Sequence, residues 1–276
     1  MSQFAKEVAQ GERFKFGENW SRFLEVLDDE RLFEAEKSLK QMLEVEDLAG
    51  KSFLDAGSGS GLFSLAARRL GARVHSFDYD PQSVACTAEL KRRYFLHNDS
   101  WTIEQGSILD VEYLKFLGQF DVVYSWGVLH NTGDMWRALE NVGLCVSEGG
   151  LLFIAIYNDQ GAKSMLWRRI KRLYLSGALG RRFVWALFVL YVVFGGLSKD
   201  LLRGRNPVIR YTEYKRTRGM SVVHDWHDWL GGLPFEVAKP GAIFEFYRDR
   251  GFKLEKLVTV GGESVNNQFV FMKDRG

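Results

Sequence analysis

Cysteine is scarce in this chain: two residues in 276, Cys86 and Cys145, far apart and without C-x-x-C spacing. That excludes a disulfide framework and a cysteine-built zinc module, and it suits a reducing compartment. Also missing is any apolar run near the roughly 20 residues needed to span a bilayer. The longest, Phe183 to Leu197, has 15 residues, two of them glycine. The opening stretch MSQFAKEVAQGERF is polar and holds no apolar signal-peptide core, so the expectation is a cytoplasmic protein. Internal repeats and low-complexity tracts are absent as well. What is present is the composition of a globular protein, 46% hydrophobic and 26% charged, which excludes disorder. A chain of 276 residues fits one domain of ordinary size plus an elaboration.

The net charge of +2 hides a segregation. Between Lys163 and Arg218 stand fourteen Lys/Arg against two acids, Asp200 and Glu213, a local charge of +12 that leaves −10 for the rest. Such asymmetry speaks of partners rather than of fold.

An acidic amphipathic helical region is expected from about Trp20 to Leu48, with Phe23, Leu24, Leu27, Leu32 and Phe33 at helical spacing. The pattern then changes. SFLDAGSGSG reads as a buried strand ending in a glycine-rich turn, and LFSLAARRLG as a helix stopped by Gly71. ARVHSFDYD, WTIEQGSI, FDVVYSWGVL and LLFIAIYN read as further strands, with PQSVACTAELKRRYF and MWRALENVGLCV as helices among them. The last of these strands is apolar on both faces, as a central parallel strand should be. This rhythm predicts a doubly wound α/β sheet. It breaks after Asn158 and resumes at KPGAIFEFYRDRGF, a helix, then FKLEKLVTVG and NNQFVFMKD, a strand pair finishing the sheet. The expected parts are an N-terminal helical cap (1–49), a sheet domain (50–158 and 239–276) and a helical insertion after strand five (159–238) that folds over the strand C-termini.

The informative motif is Asp55-Ala-Gly57-Ser58-Gly59-Ser-Gly61, directly after a strand and before a helix. Glycines let the backbone turn sharply and approach a ligand closely. A dinucleotide-binding fingerprint would want its third glycine at position 62, which is Leu62. The D-x-G-x-G-x-G segment instead resembles motif I of the class I S-adenosylmethionine (SAM)-dependent methyltransferases. Asp78, in Phe77-Asp78-Tyr79-Asp80 at the end of the second strand, matches the family's ribose-binding acid. Gln105-Gly106-Ser107-Ile108-Leu109-Asp110 is similar to its adenine-binding segment, with Ser107 where many members have an acid, so the adenine contact falls to the Ser107 hydroxyl, backbone or Asp110. Phe120 to Trp126 is similar to the strand before the active-site loop, and SEGG to the loop before strand five. The resemblance implies a Rossmann-like fold with SAM as cosubstrate, held by Asp55, Gly57, Ser58, Gly59, Gly61, Asp78, Tyr79, Ser107, Ile108 and Trp126.

Methyl transfer from a sulfonium asks mainly for alignment of a nucleophile, plus removal of its proton. Candidate bases are His130, in WGVLHN, and His224, Asp225 and His227, in the segment HDWHDW. For that segment a metal site, a base-plus-aromatic substrate pocket and surface packing of two tryptophans all stay open. Metal is disfavoured, and no metal ligand is assigned, because no acid ends the fourth strand, where catechol-type members place one. The fourth strand ends in Ser125-Trp126-Gly127-Val128, not in the Asn/Asp-Pro-Pro-aromatic motif of nucleobase amine methylation, and neither cysteine follows a proline. These absences tilt away from nucleic acid.

The insertion sets Met165, Leu166, Ile170, Leu173 and Tyr174 on one helical face beside Arg168, Arg169, Lys171 and Arg172, ahead of Arg181-Arg182 and the apolar run. A basic amphipathic helix beside an apolar one suits an anionic membrane surface, with residues 163–218 as the contact. Packing on the sheet domain or on a second subunit, hence a homo-oligomer, stays open. The pattern loosely resembles methyltransferases of the quinone-biosynthesis type. The expected function is methyl transfer to a small lipophilic or aromatic acceptor, at oxygen. An RNA methyltransferase and a non-catalytic SAM-sensing membrane protein are the alternatives.

Overall fold

The computed structural model describes residues 3–96, 100–202, 230–260 and 266–276. The chain divides into two compact units, one of residues 15–161 and 234–276, the other of 1–14 and 162–233.

In the larger unit the described residues form a seven-stranded sheet, β1 (Ser52–Ala56), β2 (Arg73–Asp78), β3 (Trp101–Gln105), β4 (Phe120–Trp126), β5 (Val146–Tyr157), β6 (Phe252–Val258) and β7 (Asn266–Lys273), in the order β3-β2-β1-β4-β5-β7-β6. Strands β1 to β5 pair in parallel, and β7 pairs antiparallel with both β5 and β6. The strand pair expected at the C-terminus therefore does finish the sheet, with β7 inserted between β5 and β6.

Successive strand residues point to opposite faces, and both faces are buried. Leu54, Val123, Leu152 and Ile154 enter one apolar cluster, which α7 (Met135–Leu144) and α10 (Pro240–Arg248) close with Leu139, Ile243 and Tyr247. Phe53, Val122, Tyr124 and Phe153 enter the other, closed by α3 (Asp29–Leu43), α4 (Leu62–Arg69) and α5 (Pro81–Tyr94) through Leu39, Leu65 and Cys86.

The structure departs from the sequence reading at several elements. The helical stretch expected over 20–48 is two helices, α2 (Gly17–Phe23) and α3, because Asp28 takes an extended backbone and caps α3 by accepting from the Arg31 N–H at 2.9 Å. Phe33, expected on the apolar face, is 60% exposed. A short helix, α6 (Val111–Leu117), follows β3, started by Asp110 accepting from the Tyr113 N–H. SEGG lies inside β5, where the pairing with β4 shifts register between Phe120 and Val122.

The smaller unit holds α1 (Gln3–Ala9), α8 (Ala162–Leu175) and α9 (Ala178–Leu202). Tyr174, Val184 and Leu230 form its buried centre, with Trp167, Ile170, Trp185 and Phe188 against them. The apolar face expected on α8 divides: Tyr174 is buried, whereas Met165, Leu166 and Leu173 are exposed. On α9, Leu179, Phe183, Leu187, Leu190 and Phe194 are exposed at spacings of three and four residues, which is one side of a helix. Among the described residues no helix is long and apolar enough to cross a membrane.

Candidate functional site

In a doubly wound sheet, ligands bind where the strand order reverses, beyond the strands' carboxyl ends. Here that point lies between β1 and β4, and the glycine turn leaves β1 at that place. The turn is pinned from below: the N–H groups of Gly57 and Ser58 both donate to the Phe77 carbonyl, at 2.9 and 3.1 Å. Gly57 has φ +89°, and a Cβ there would stand 2.5 Å from the Val128 methyl carbons, so only glycine lets the turn after β4 come this close. Gly61, at φ +82°, opens α4 against the backbone of Thr87, whose Cα would be 2.8 Å from an added Cβ. The Ser58 hydroxyl hydrogen-bonds that of Thr87 at 2.9 Å and is buried with it.

Asp78 ends β2 beside this turn. Its Oδ2 accepts from the Gly59 N–H and its Oδ1 from the Asp80 N–H, both at 2.9 Å. A carboxylate offers about four acceptor positions, so these bonds fix its orientation and leave capacity for a diol. Burial pushes its carboxyl up to about 6, against the pull of the backbone N–H groups of Gly59, Asp80 and Tyr79. The end of β3 is held alongside by the Gly106 N–H donating to the Asp78 carbonyl at 3.1 Å. That brings Ser107 and Ile108 to the same edge: Ser107 Oγ accepts from the Leu109 N–H, and Ile108 is a core residue whose carbonyl accepts from Asn141. Asp110, the alternative adenine contact, is exposed and caps α6. Tyr79 is half-buried, and its carbonyl accepts from Gln105 Nε2.

Asp55 is placed differently. It is buried, and its Oδ2 accepts from the Ser64 hydroxyl of α4 at 2.5 Å. Burial pushes its carboxyl up to about 7. Trp126 ends β4 and is 42% exposed. His130 lies in a short 3-10 turn (Leu129–Asn131) and is completely buried. Its Nδ1 accepts from the Tyr157 N–H at 3.3 Å, and the two rings lie 3.9 Å apart. His224, Asp225 and His227 lie outside the described residues.

Three contributors to this edge escaped the sequence reading. Trp20 of α2 lies against the turn, its indole 3.1 Å from where a Cβ on Gly59 would stand. Asp80 holds α2 in place: its Oδ2 accepts from the Gly17 N–H while its Oδ1 caps α5 through the Gln82 N–H, each at 2.9 Å. Asp-Pro at a helix start is a readable cap signal, but nothing in it names Gly17 as a second donor. Asn266, at the start of β7, stands beside Gly127, and no local motif marks it.

Residues 54–152 match the family described as "Methyltransferase domain". Together with the sheet order and the turn, that match decides the assignment. Residues 54–152 belong to the class I SAM-dependent methyltransferases. The chain is similar to the ribosomal protein L11 methyltransferase of Anoxybacillus flavithermus, 28% identical over 165 residues, 53% of this chain and 51% of that protein. It is also similar to the same-named protein of Methylococcus capsulatus, 48% identical over 73 residues, 26% of this chain and 25% of that protein. The chain thus spans about half the length, or less, of these curated relatives. Among solved structures, the magnesium protoporphyrin IX methyltransferase of Synechocystis PCC 6803 with bound SAH aligns at a TM-score of 0.53 and 13% identity, covering 88% of this chain and 83% of that one. An O-methyltransferase family protein from Burkholderia thailandensis aligns at 0.54 and 13% identity, covering 89% and 57%. The methyltransferase domain accordingly has the Rossmann-like α/β fold its motifs imply.

Proposed function

We propose that this chain is a methyltransferase that binds SAM at the glycine turn and transfers its methyl group to a small lipophilic or aromatic acceptor, at oxygen. The observation that carries the reading is Asp78. Its carboxylate is oriented by the Gly59 N–H of the turn itself, and it retains acceptor positions beyond those its backbone partners take. Gly57, Ser58, Gly59 and Gly61 shape the turn, Asp78 takes the ribose diol, and Ser107 and Ile108 border the adenine. Asp55 supports the turn from behind through Ser64. SAM supplies the electrophilic methyl, and the protein orients the nucleophile and excludes water. His130, buried and accepting from the Tyr157 N–H, holds the turn after β4 against β5 and acts as a positioning residue. The base is sought among His224, Asp225 and His227.

Isothermal calorimetry tests this reading. SAM and its product S-adenosylhomocysteine (SAH) bind and NAD does not, and Asp78→Ala weakens SAH binding by about 1.5–3 kcal/mol. Absence of binding, or an unchanged affinity in the variant, defeats it. Methylation assays on cell extract, read as a 14-dalton gain, then identify the acceptor. A labelled RNA or ribosomal protein in place of a small molecule transfers the reading to that substrate class.

The smaller unit suits a lipophilic acceptor. The exposed apolar side of α9 is accompanied by exposed Arg169, Arg172, Arg181 and Arg182, and no acid occurs between Lys163 and Lys199. Its proposed partner is an anionic bilayer surface, with the apolar side chains inserted and the guanidinium groups at the headgroups. Two copies of so basic a surface would repel each other.

A further inference from the structure

Two backbone N–H groups orient the Asp78 carboxylate, those of Gly59 and Asp80, each at 2.9 Å. The helix α2 rests on the same two residues. Its Trp20 indole lies on Gly59, where an added Cβ would stand 3.1 Å from Nε1 and Cε2. Its first N–H, that of Gly17, donates to Asp80 Oδ2 at 2.9 Å. Asp78, Asp80, α2 and Gly59 therefore close a ring of contacts that returns to the Asp78 carboxylate, all of it inside the larger unit.

The helix does not hold this place by its own stability. Seven residues are too few for a helix to persist alone in water. The acceptor at its start comes from a residue 63 positions away in the chain. Further ties run to α5 and its end: Gln82 Nε2 donates to Ser21 Oγ at 3.1 Å, Ser21 Oγ and Cys86 Sγ lie 3.5 Å apart, and Arg93 donates to the Leu24 carbonyl at 3.0 Å. The seat is tightest at Gly17, where a Cβ would stand 2.6 Å from Gln82 Cβ and 2.8 Å from Asp80 Oδ2. Asp80 is the junction. Its Oδ2 anchors α2, its Oδ1 caps α5 through the Gln82 N–H, and its own N–H orients Asp78.

We infer that Asp80 is a positioning residue for the cosubstrate: it seats α2 on the glycine turn and so couples that helix to whatever Asp78 holds. This rests on the reading of Asp78 as the ribose-binding acid. A seated α2 fixes both donors, and fixed donors keep the carboxylate in one orientation, so the diol meets a preorganised acceptor. The coupling is reciprocal. A ligand that needs this orientation of Asp78 also stabilises the seated helix.

Two variants unseat α2 from opposite sides. Gly17→Ala drives a methyl group into Gln82 Cβ. Asp80→Ser keeps a hydroxyl to cap α5 but is too short to reach Gly17. In each, SAH affinity measured by calorimetry falls about tenfold, as when the binding-competent state drops to about a tenth of the molecules. In wild type, SAH slows backbone hydrogen exchange across residues 17–24, read by mass spectrometry. The effect of Gly17→Ala disappears in an Asp78→Ala background, because the carboxylate that α2 orients is gone. A helix that merely packs predicts a lower melting temperature with SAH affinity within twofold of wild type, or losses from Gly17→Ala and Asp78→Ala that multiply. Either result, or exchange in α2 that SAH leaves unchanged, overturns the inference and leaves the methyltransferase reading standing. Should Gly17→Ala fail to fold, Asp80→Ser takes its place beside Asp78→Ala. Absence of SAH binding in wild type overturns both.

Discussion

Asp55 in β1 and Asp78 at the end of β2 both stand beside the glycine turn, yet their surroundings differ. Asp78 is held by the backbone N–H groups of Gly59 and Asp80. Asp55 terminates a buried chain: Trp101 Nε1–H donates to Ser76 Oγ at 2.9 Å, Ser76 and Ser64 share a 2.8 Å bond, and Ser64 donates to Asp55. The Ser64 hydroxyl gives its one hydrogen to Asp55, so Ser76 donates to Ser64 while accepting from Trp101, and every hydroxyl hydrogen points toward the carboxyl. Even so, burial dominates and raises Asp55 to about 7. A carboxyl raised above its unfolded value near 3.8 gives stability at low pH that is lost as pH climbs through about 7. Asp55→Asn keeps an acceptor for Ser64 and removes the titration. Its stability relative to wild type should therefore improve by about 2–3 kcal/mol between pH 5 and pH 8. Urea melts at the two pH values check this, and parallel profiles for the two proteins refute it. The motif D-x-G-x-G-x-G was legible in the sequence because the turn depends on local backbone freedom. The separate roles of Asp55 and Asp78 were not, because they depend on partners contributed by α4, β2 and β3.

Among the elements, α9 shows most clearly how far periodicity reaches. Its apolar run is visible in the sequence, but which side of the helix is covered depends on where Tyr174 and Leu230 pack. What remains is an uncovered side running from Leu179 to Phe194, 83% exposed at its start. Flotation with anionic liposomes tests its proposed role. Wild-type protein should float at low salt and partly release as salt rises, since screening shortens to roughly 8 Å at physiological ionic strength. Changing Arg169, Arg172, Arg181 and Arg182 to glutamine should remove the salt-sensitive part. Serine at Leu187 and Leu190 should remove the remainder without lowering the melting temperature, because both are about half exposed. Wild-type protein that stays at the bottom of the gradient at low salt ends the membrane proposal. The helices α2 and α6 show the opposite limit. Each is seven residues long, too short for a periodic pattern to stand out, and α6 is signalled only by the cap at Asp110.

At the scale of the whole molecule, the larger unit is closed by its C-terminus. β7 pairs with β5 along Leu151 to Tyr157 and brings Phe269 and Phe271 into the cluster that α7 and α10 cover. Phe271→Ala should cost about 3–5 kcal/mol, measured by urea denaturation. A loss under about 1 kcal/mol would show that the last hairpin lies outside the cooperative core. By itself the sequence determined the strand–helix rhythm, the glycine turn and the apolar pattern on both faces of the sheet, because each arises from backbone conformation and side-chain periodicity within a few residues. Tertiary structure alone decided that β1 lies between β2 and β4, that Val128 seats on Gly57, and that Asn266 comes to rest beside Gly127. Those placements come from packing between segments distant in the chain, where burial of both sheet faces selects one strand order and no local signal encodes the neighbour.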